Sequence, residues 1–329
     1  MPAPVEHRNT LLSVILLLER NLLLLMIVAA LALALCAPGP GSSLQPLHLS
    51  GPITSLVFLL QGLSMDLKSL LRGGRIIPLL LWGVLLAYVL APLFGYACCA
   101  AFGLRNDDLV GLLLICSMTP TIASGVVIAG RAGGEKTTAI ALTVMLVFIG
   151  MLIIPFILNF LLSRAVEIPL GELARQLVFT VLIPTMLGQA IRMIFPTLMD
   201  HPVVKRVDKD APAVLIGLTV YLSLAPQAGK LLDISAVRLL ILVLAALLVH
   251  GALLGSGYLV SRKLLAIDRP KSLAVAFVCS QKSLAMGAPI WGSLFAAAYP
   301  LAILPPIIFH AFQIVLDGFL ATRAARTPS

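Results

Sequence analysis

The chain has 329 residues, of which 60% are hydrophobic and 11% charged, with a mean hydropathy of +1.07 and a formal net charge of +9. Soluble globular domains run to about half apolar and about a quarter charged residues, so this composition excludes one, together with disordered, collagen-like, coiled-coil and disulfide-scaffold chains. A membrane span takes roughly 20 apolar residues, which leaves room for about ten spans and short loops in a polytopic helical membrane protein.

Ten apolar segments follow in chain order: 20–37, 52–66, 76–102, 108–131, 137–162, 173–195, 211–229, 237–261, 270–297 and 299–322. The first is either a span or a cleaved signal peptide, because Glu19 and Arg20 precede the run Leu22–Leu35. Retaining it as a span keeps the two halves of the chain equal. The five cysteines (Cys36, Cys98, Cys99, Cys116 and Cys279) lie in or beside apolar runs without a CxxC pair, as small buried hydrophobes do.

Sorting the basic residues by loop turns the positive charge into a topology. Seventeen Lys and Arg fall on one side and five (Arg105, Arg164, Arg175, Lys230 and Arg238) on the other. The positive-inside rule then places both termini in the cytoplasm and gives an even number of spans in the cell membrane. No basic and aromatic cluster suits nucleic acid. The bilayer is the expected surrounding, and the chain is expected to be a monomer or weak homodimer.

One base has no loop. Lys282 lies eleven residues beyond Lys271, or roughly 16 Å deep at 1.5 Å per residue. That is near the middle of a hydrocarbon layer about 30 Å thick, where an unpaired charge costs at least about 2.5–3.5 kcal/mol. Lys282 must therefore meet a polar cavity, the carbonyl ends of a broken helix, or an anion; the alternative is a lysine fastened by local hydrogen bonds.

Five segments occupy residues 1–163 and five occupy 164–329, and an odd number per half inverts the second relative to the first. Secondary transporters built this way bind substrate where helices in corresponding positions are interrupted. Ser117-Met118-Thr119-Pro120-Thr121-Ile122-Ala123-Ser124-Gly125 interrupts the fourth segment, and Ser280-Gln281-Lys282-Ser283 interrupts the ninth about 162 residues later. Pro120 removes a backbone donor and exposes polar backbone at membrane depth. Ser117, Thr119, Pro120, Thr121, Ser124, Ser280, Gln281, Lys282 and Ser283 are thus the candidate substrate- and ion-binding residues, with Thr143 on the fifth segment beside them.

In the tenth segment His310, Gln313 and Asp317 share one helix face. His310 and Gln313 are candidates for a proton relay or substrate contact, against a helix-packing hydrogen bond. Asp317 is expected near the cytoplasmic end, solvated, paired with Arg323, or functional. His250 is central in the eighth segment and weaker as a candidate. Gln61 and Ser64 are expected to line the same cavity, and Thr137 and Thr138 its cytoplasmic mouth. No HExxH, GxSxG or GxxxxGK[ST] pattern is present, so neither an enzyme nor a primary pump is expected, and no cofactor beyond a coupling sodium ion or proton.

At these residues the sequence resembles the bile acid:sodium symporter family. Phe58–Met65, Ser117–Gly134, Cys279–Ala285 and Phe309–Gln313 carry the resemblance. It is strongest to the sodium/bile-acid-symporter-like branch, with the solute carrier family 10 member 7 type and uncharacterised bacterial homologues. The resemblance implies an all-α fold of ten transmembrane helices in two inverted five-helix repeats. Spans 1, 2, 6 and 7 would form a panel, beside a core in which discontinuous helices 4 and 9 cross. It further implies alternating-access transport of an organic anion with sodium. Of the family's sodium ligands, Ser124, Thr143 and Gln281 match; Gly125, Ala139 and Phe277 stand where Asn, Ser and Glu are usual, and Lys282 replaces a residue that is usually Asn.

The expectation is a secondary active transporter for an organic anion, bile-acid-like or another small amphipathic solute, with Lys282 in place of one sodium. A cation/proton antiporter of related fold is the alternative, as is a non-transporting membrane regulator of calcium handling or glycosylation.

Overall fold

The computed structural model describes residues 22–64, 76–121, 124–162, 171, 175–176 and 178–326. Glu19 and Arg20 of the signal-peptide alternative, the loop bases Arg8, Lys68, Arg72, Arg75 and Arg164, the boundary at 163/164, and Ile122 and Ala123 of the first break lie outside those residues.

The described residues form helices and no strand. Six helical stretches are long and apolar enough to cross a membrane: Ile77–Phe102, Lys136–Leu162, Pro202–Leu232, Ala236–Lys263, Arg269–Phe295 and Pro300–Arg326. The remaining apolar segments are shorter or bent. Helix α1 (Leu22–Cys36) gives way to α2 (Pro38–Leu44), and the chain bends by 97° there. Pro38 can begin a helix but cannot donate to the preceding turn. The Tyr221 hydroxyl closes the bend, donating to Ala37 O at 2.8 Å and accepting from Gly41 N–H at 2.9 Å.

The other helices are α3 (Ser50–Ser64), α4 (Ile77–Phe102), α5 (Asn106–Ser117), α6 (Ser124–Arg131), α7 (Lys136–Leu162) and α8 (Val178–Ile194). They continue as α9 (Pro202–Leu224), α10 (Ala236–Lys263), α11 (Arg269–Ser280), α12 (Leu284–Ile290) and α13 (Leu304–Arg326). Their starts follow capping chemistry. Ser235 accepts from Arg238 N–H, Asp268 from Lys271 N–H and Ser283 from Met286 N–H. The Lys271 ammonium also donates to Asp268, at 2.9 Å, and holds that carboxylate below its usual range.

Within α4 a wide π turn spans Leu86–Leu90, and the Ala91 N–H bonds back to Leu86 O. The next residue is Pro92, which has no N–H. The Ala87 carbonyl therefore loses its helical donor. A similar gap opens in α12, where Pro289 cannot bond Ala285 O; Gln61 Nε2 of α3 donates to that carbonyl instead, at 3.2 Å.

Helices α1, α3, α8 and α9 pack into one group, while α10 packs on α11, α13 and α4, and α11 on α6 and α7. Helix α12 touches the first group through α3 and α9 and the second through α13. The pair α3 and α8 approach backbone to backbone: a Cβ at Gly62 would run into the Thr185 carbonyl, and one at Gly188 into the Leu59 carbonyl. On the other group Asp108 and Arg238 form a two-point ion pair, Nε to Oδ2 at 2.9 Å and Nη2 to Oδ1 at 2.8 Å, tying α5 to α10.

Two outcomes follow. Gly188→Val should lower stability by about 1–3 kcal/mol, the usual cost of overpacking. Gly251→Ala, where nothing lies within 4 Å, should not; thermal unfolding in detergent compares them. Arg238→Met should cost about 1–3 kcal/mol by stranding the Asp108 carboxylate. The double variant with Asp108→Asn should recover part of that loss in the same assay.

Candidate functional site

Both sequence-predicted interruptions are real breaks in the helices. Helix α5 stops at Ser117, and Met118 turns extended (φ −74°, ψ 159°) ahead of Pro120. Helix α11 stops at Ser280, and Gln281 turns extended (φ −69°, ψ 148°) before Ser283 caps α12. The breaks meet. Ser283 N–H donates to Thr119 O at 2.9 Å, one backbone bond between segments far apart in sequence.

The exposed backbone of the second break is served by side chains. Gln313 takes both polar groups of Lys282, its Oε1 accepting from Lys282 N–H and its Nε2 donating to Lys282 O, each at 2.8 Å. The second N–H of that amide faces His310 Nδ1 at 2.8 Å. The same Nδ1 lies 3.4 Å from Lys282 O.

Lys282 is fully buried. Its ammonium donates to Ala87 O at 2.6 Å and to Met118 O at 3.2 Å, and lies 5.8 Å from the centre of the Tyr88 ring. Ala87 O is the carbonyl orphaned by the π turn and Pro92. Met118 O caps the C-terminal end of α5, where the helix dipole is negative. Of the surroundings expected for this lysine, the carbonyl ends of a broken helix are the ones present.

Gln281 joins the breaks to α13. Its Oε1 accepts from Thr121, and the single Ser124 O–H lies within reach of that oxygen, at 2.9 Å, and of the Thr121 hydroxyl, at 2.7 Å, serving one of them at a time. Its Nε2 donates to Asp317 Oδ2 at 2.8 Å.

Asp317 corrects the expectation of a solvated or Arg323-paired carboxylate. It is fully buried, and Oδ1 lies 2.7 Å from His250 Nε2. The physical reason is that the face shared by His310, Gln313 and Asp317 is turned inward, with α13 packed on α5, α6 and α10. Arg323 instead sits over the Phe319 ring, at 4.4 Å.

The structure does not draw every candidate into this network. Ser117 donates to Leu113 O at 2.7 Å and Thr143 to Ala139 O at 2.8 Å, each within its own helix. The Thr119 hydroxyl meets the Met286 sulfur at 2.6 Å. Pro120 is buried in the break, and the Ser280 hydroxyl is buried with no hydrogen-bond partner among the described residues. Ser64 bonds Asp208 at 2.6 Å, away from the breaks. Thr138 bonds Glu135 and Thr137 is exposed, both at the start of α7. Sequence reasoning missed the Ala87 carbonyl and the pairing of His250 with Asp317. The i to i+7 spacing of His310 and Asp317 held the only signal for the second.

Comparison with known proteins places the chain in a family. Residues 21–326 match the SBF-like CPA transporter family. The chain is 27% identical to the "Probable sodium/metabolite cotransporter BASS4, chloroplastic" of Arabidopsis thaliana, over 80% of this chain and 63% of that protein. It is 26% identical to the protein of the same name in Oryza sativa subsp. indica, over 97% of this chain and 79% of that one. Sodium/bile acid cotransporter 7 of Xenopus tropicalis is 24% identical, over 86% and 84%. With apolar helices long enough to span a bilayer and a match over nearly its whole length, the chain is an integral membrane protein and belongs to the SBF-like CPA transporter family, a family of transporters rather than enzymes.

Proposed function

We propose that the protein is a secondary active transporter that moves an organic anion, or another small amphipathic solute, by alternating access. In this reading residues 1–163 and 164–329 are two inverted five-helix repeats, ten transmembrane helices in all. Spans 1, 2, 6 and 7 form a panel against a core in which spans 4 and 9 cross at their breaks. The protein sits in the cell membrane with both termini cytoplasmic, as a monomer or weak homodimer.

The observation that carries the reading is the buried Lys282 ammonium on the carbonyls of Ala87 and Met118. A bound alkali cation seeks such carbonyl oxygens. A fixed ammonium there takes the place of one cation and repels a second. Gln281, matched to a sodium ligand by resemblance, has its amide oxygen met by Thr121 instead. Transport therefore runs with less sodium than the relatives' names suggest, or with none. The helix N-termini that follow the breaks supply the positive dipole ends for a carboxylate or sulfate.

A cation/proton antiporter is the second reading, and Asp317 favours it, since such proteins need an acid within the membrane and this one is buried beside the breaks.

A thermal-stability screen of the purified protein against organic anions, with sodium and pH varied, tests substrate class and ion together. A cognate anion at a hundredfold excess over its Kd should stabilise by about 2.7 kcal/mol. In proteoliposomes, uptake of that anion by Lys282→Met should follow an imposed sodium gradient more steeply than uptake by the wild type. Equal sodium-driven uptake by both proteins would falsify the replacement of sodium by Lys282.

A further inference from the structure

The two packed groups of helices meet at one end of the protein. In the second group, the turns that join α6 to α7 and α10 to α11 lie together, Glu135 N–H donating to Pro270 O at 3.0 Å. Helix α12 runs toward the opposite end, through a π turn at Trp291–Phe295 to the short helix Pro300–Ile303. There Asp107 accepts from Leu301 N–H at 2.8 Å and Asp108 pairs with Arg238, which ties that end to α5 and α10. Between them, α12 and these two stretches pack on α3 and α9 of the first group, whereas α6 and α11 pack on α4, α7, α10 and α13 of their own.

The contact is flush because Gly292 has no side chain. A Cβ there would stand 2.3 Å from the Thr219 methyl, far inside van der Waals contact. Thr219 is fully buried on α9, and its hydroxyl donates back to Leu215 O at 3.0 Å. That bond keeps the methyl against Gly292, and a β-branched side chain on a helix has few other rotamers to take. Two side chains of α3 reach across to α12. Gln61 Nε2 donates to the Ala285 carbonyl that Pro289 leaves free, and the Thr54 hydroxyl lies 3.0 Å from Pro289 O. The same hydroxyl lies 2.7 Å from Ser50 O and has one proton to give. Gln61 Oε1 is buried with no hydrogen-bond partner among the described residues.

These ties differ in kind from those inside either group. The second group is fastened by the two-point Asp108–Arg238 pair and by the two bonds of Gln313 to Lys282. In the first, Arg192 Nη1 donates to Leu63 O and Ser64 to Asp208, each at 2.6 Å. Across the contact the bonds are neutral, hence weaker, and one competes with a second acceptor. A buried acceptor also goes unmet, a cost that hydration removes once the contact opens. We propose that Gly292 and Thr219 form the seam of a gate, pinned by Thr54 and Gln61, which closes the protein at the end reached by α12 and parts when that end opens. Its place in transport rests on the alternating-access reading. Because Asp107 ties Leu301 to α5, the α12 side of the seam travels with the second group and leaves α9 behind.

Spin labels test the gate without any solute. The full-length protein carries nitroxides at Ser43→Cys and Arg105→Cys, exposed positions on the first and second groups at the gated end. Cys36→Ser and Cys98→Ser remove the two native cysteines that are not buried. Double electron–electron resonance in detergent reads the distance between the labels. In the parent a short distance should dominate. Gly292→Ala should move most molecules to a longer one, and adding Thr219→Ser, which removes the obstructing methyl, should restore the parent distribution. Thr54→Val, close in shape to threonine, should add the longer distance as a minor component. Ser64→Ala, which breaks a bond inside the first group, should add none. If Gly292→Ala does not fold, Thr54→Val against Ser64→Ala decides. Unchanged distributions in Gly292→Ala and Thr54→Val overturn the gate, as does a shift that Thr219→Ser fails to reverse or that Ser64→Ala reproduces. Distances that respond in a protein that takes up no organic anion would keep the seam and remove the transporter reading. Uptake with distributions that never change would do the opposite.

Discussion

A lysine ammonium sealed from water has to find oxygen, and in this protein the backbone supplies it. Lys282 reaches two carbonyls that ordinary helix geometry would have consumed, Ala87 O and Met118 O. The first is free because a π turn and Pro92 remove its donor, and the second because α5 ends before Pro120. These departures from regular helix lie on different segments, and the ammonium is what they have in common. An unsatisfied carbonyl or an unpaired charge at this depth costs several kcal/mol, so the π turn, the break and the lysine stabilise one another.

The two breaks are treated alike. Each leaves a helix C-terminus in the interior, where the dipole is negative and the last carbonyls lack donors. Lys282 serves the end of α5, and His250 Nδ1 faces the end of α11, 3.3 Å from Ser280 O. Gln281 and Gln313 then knit the extended residues to each other and to α13. Amides suit this task because each offers a donor and an acceptor at once. The resulting network is almost wholly buried, and it lies beside α12, which touches both packed groups of helices.

Much of this was legible in the sequence because it depends on composition and on local chemistry. Membrane class, the positions of the helices, and both interruptions follow from apolar runs broken by Pro120 and by a polar quartet around Lys282. The partners were not legible. Ala87 carries no polar side chain, and only the π turn makes its carbonyl available. Asp317 lies in the second half of its helix, close to Arg323, so spacing alone suggests a surface ion pair. Its true partner, His250, is set by the packing of α13 on α10, which no local pattern encodes.

The central claim is that an ammonium built into the chain occupies carbonyls that would otherwise hold a cation. Equilibrium binding of radiolabelled sodium to the purified protein, in the absence of any solute, reads it directly. The account predicts one more sodium ion bound per molecule of Lys282→Met than per molecule of the wild type. Stoichiometric sodium binding of equal affinity in both proteins would contradict it.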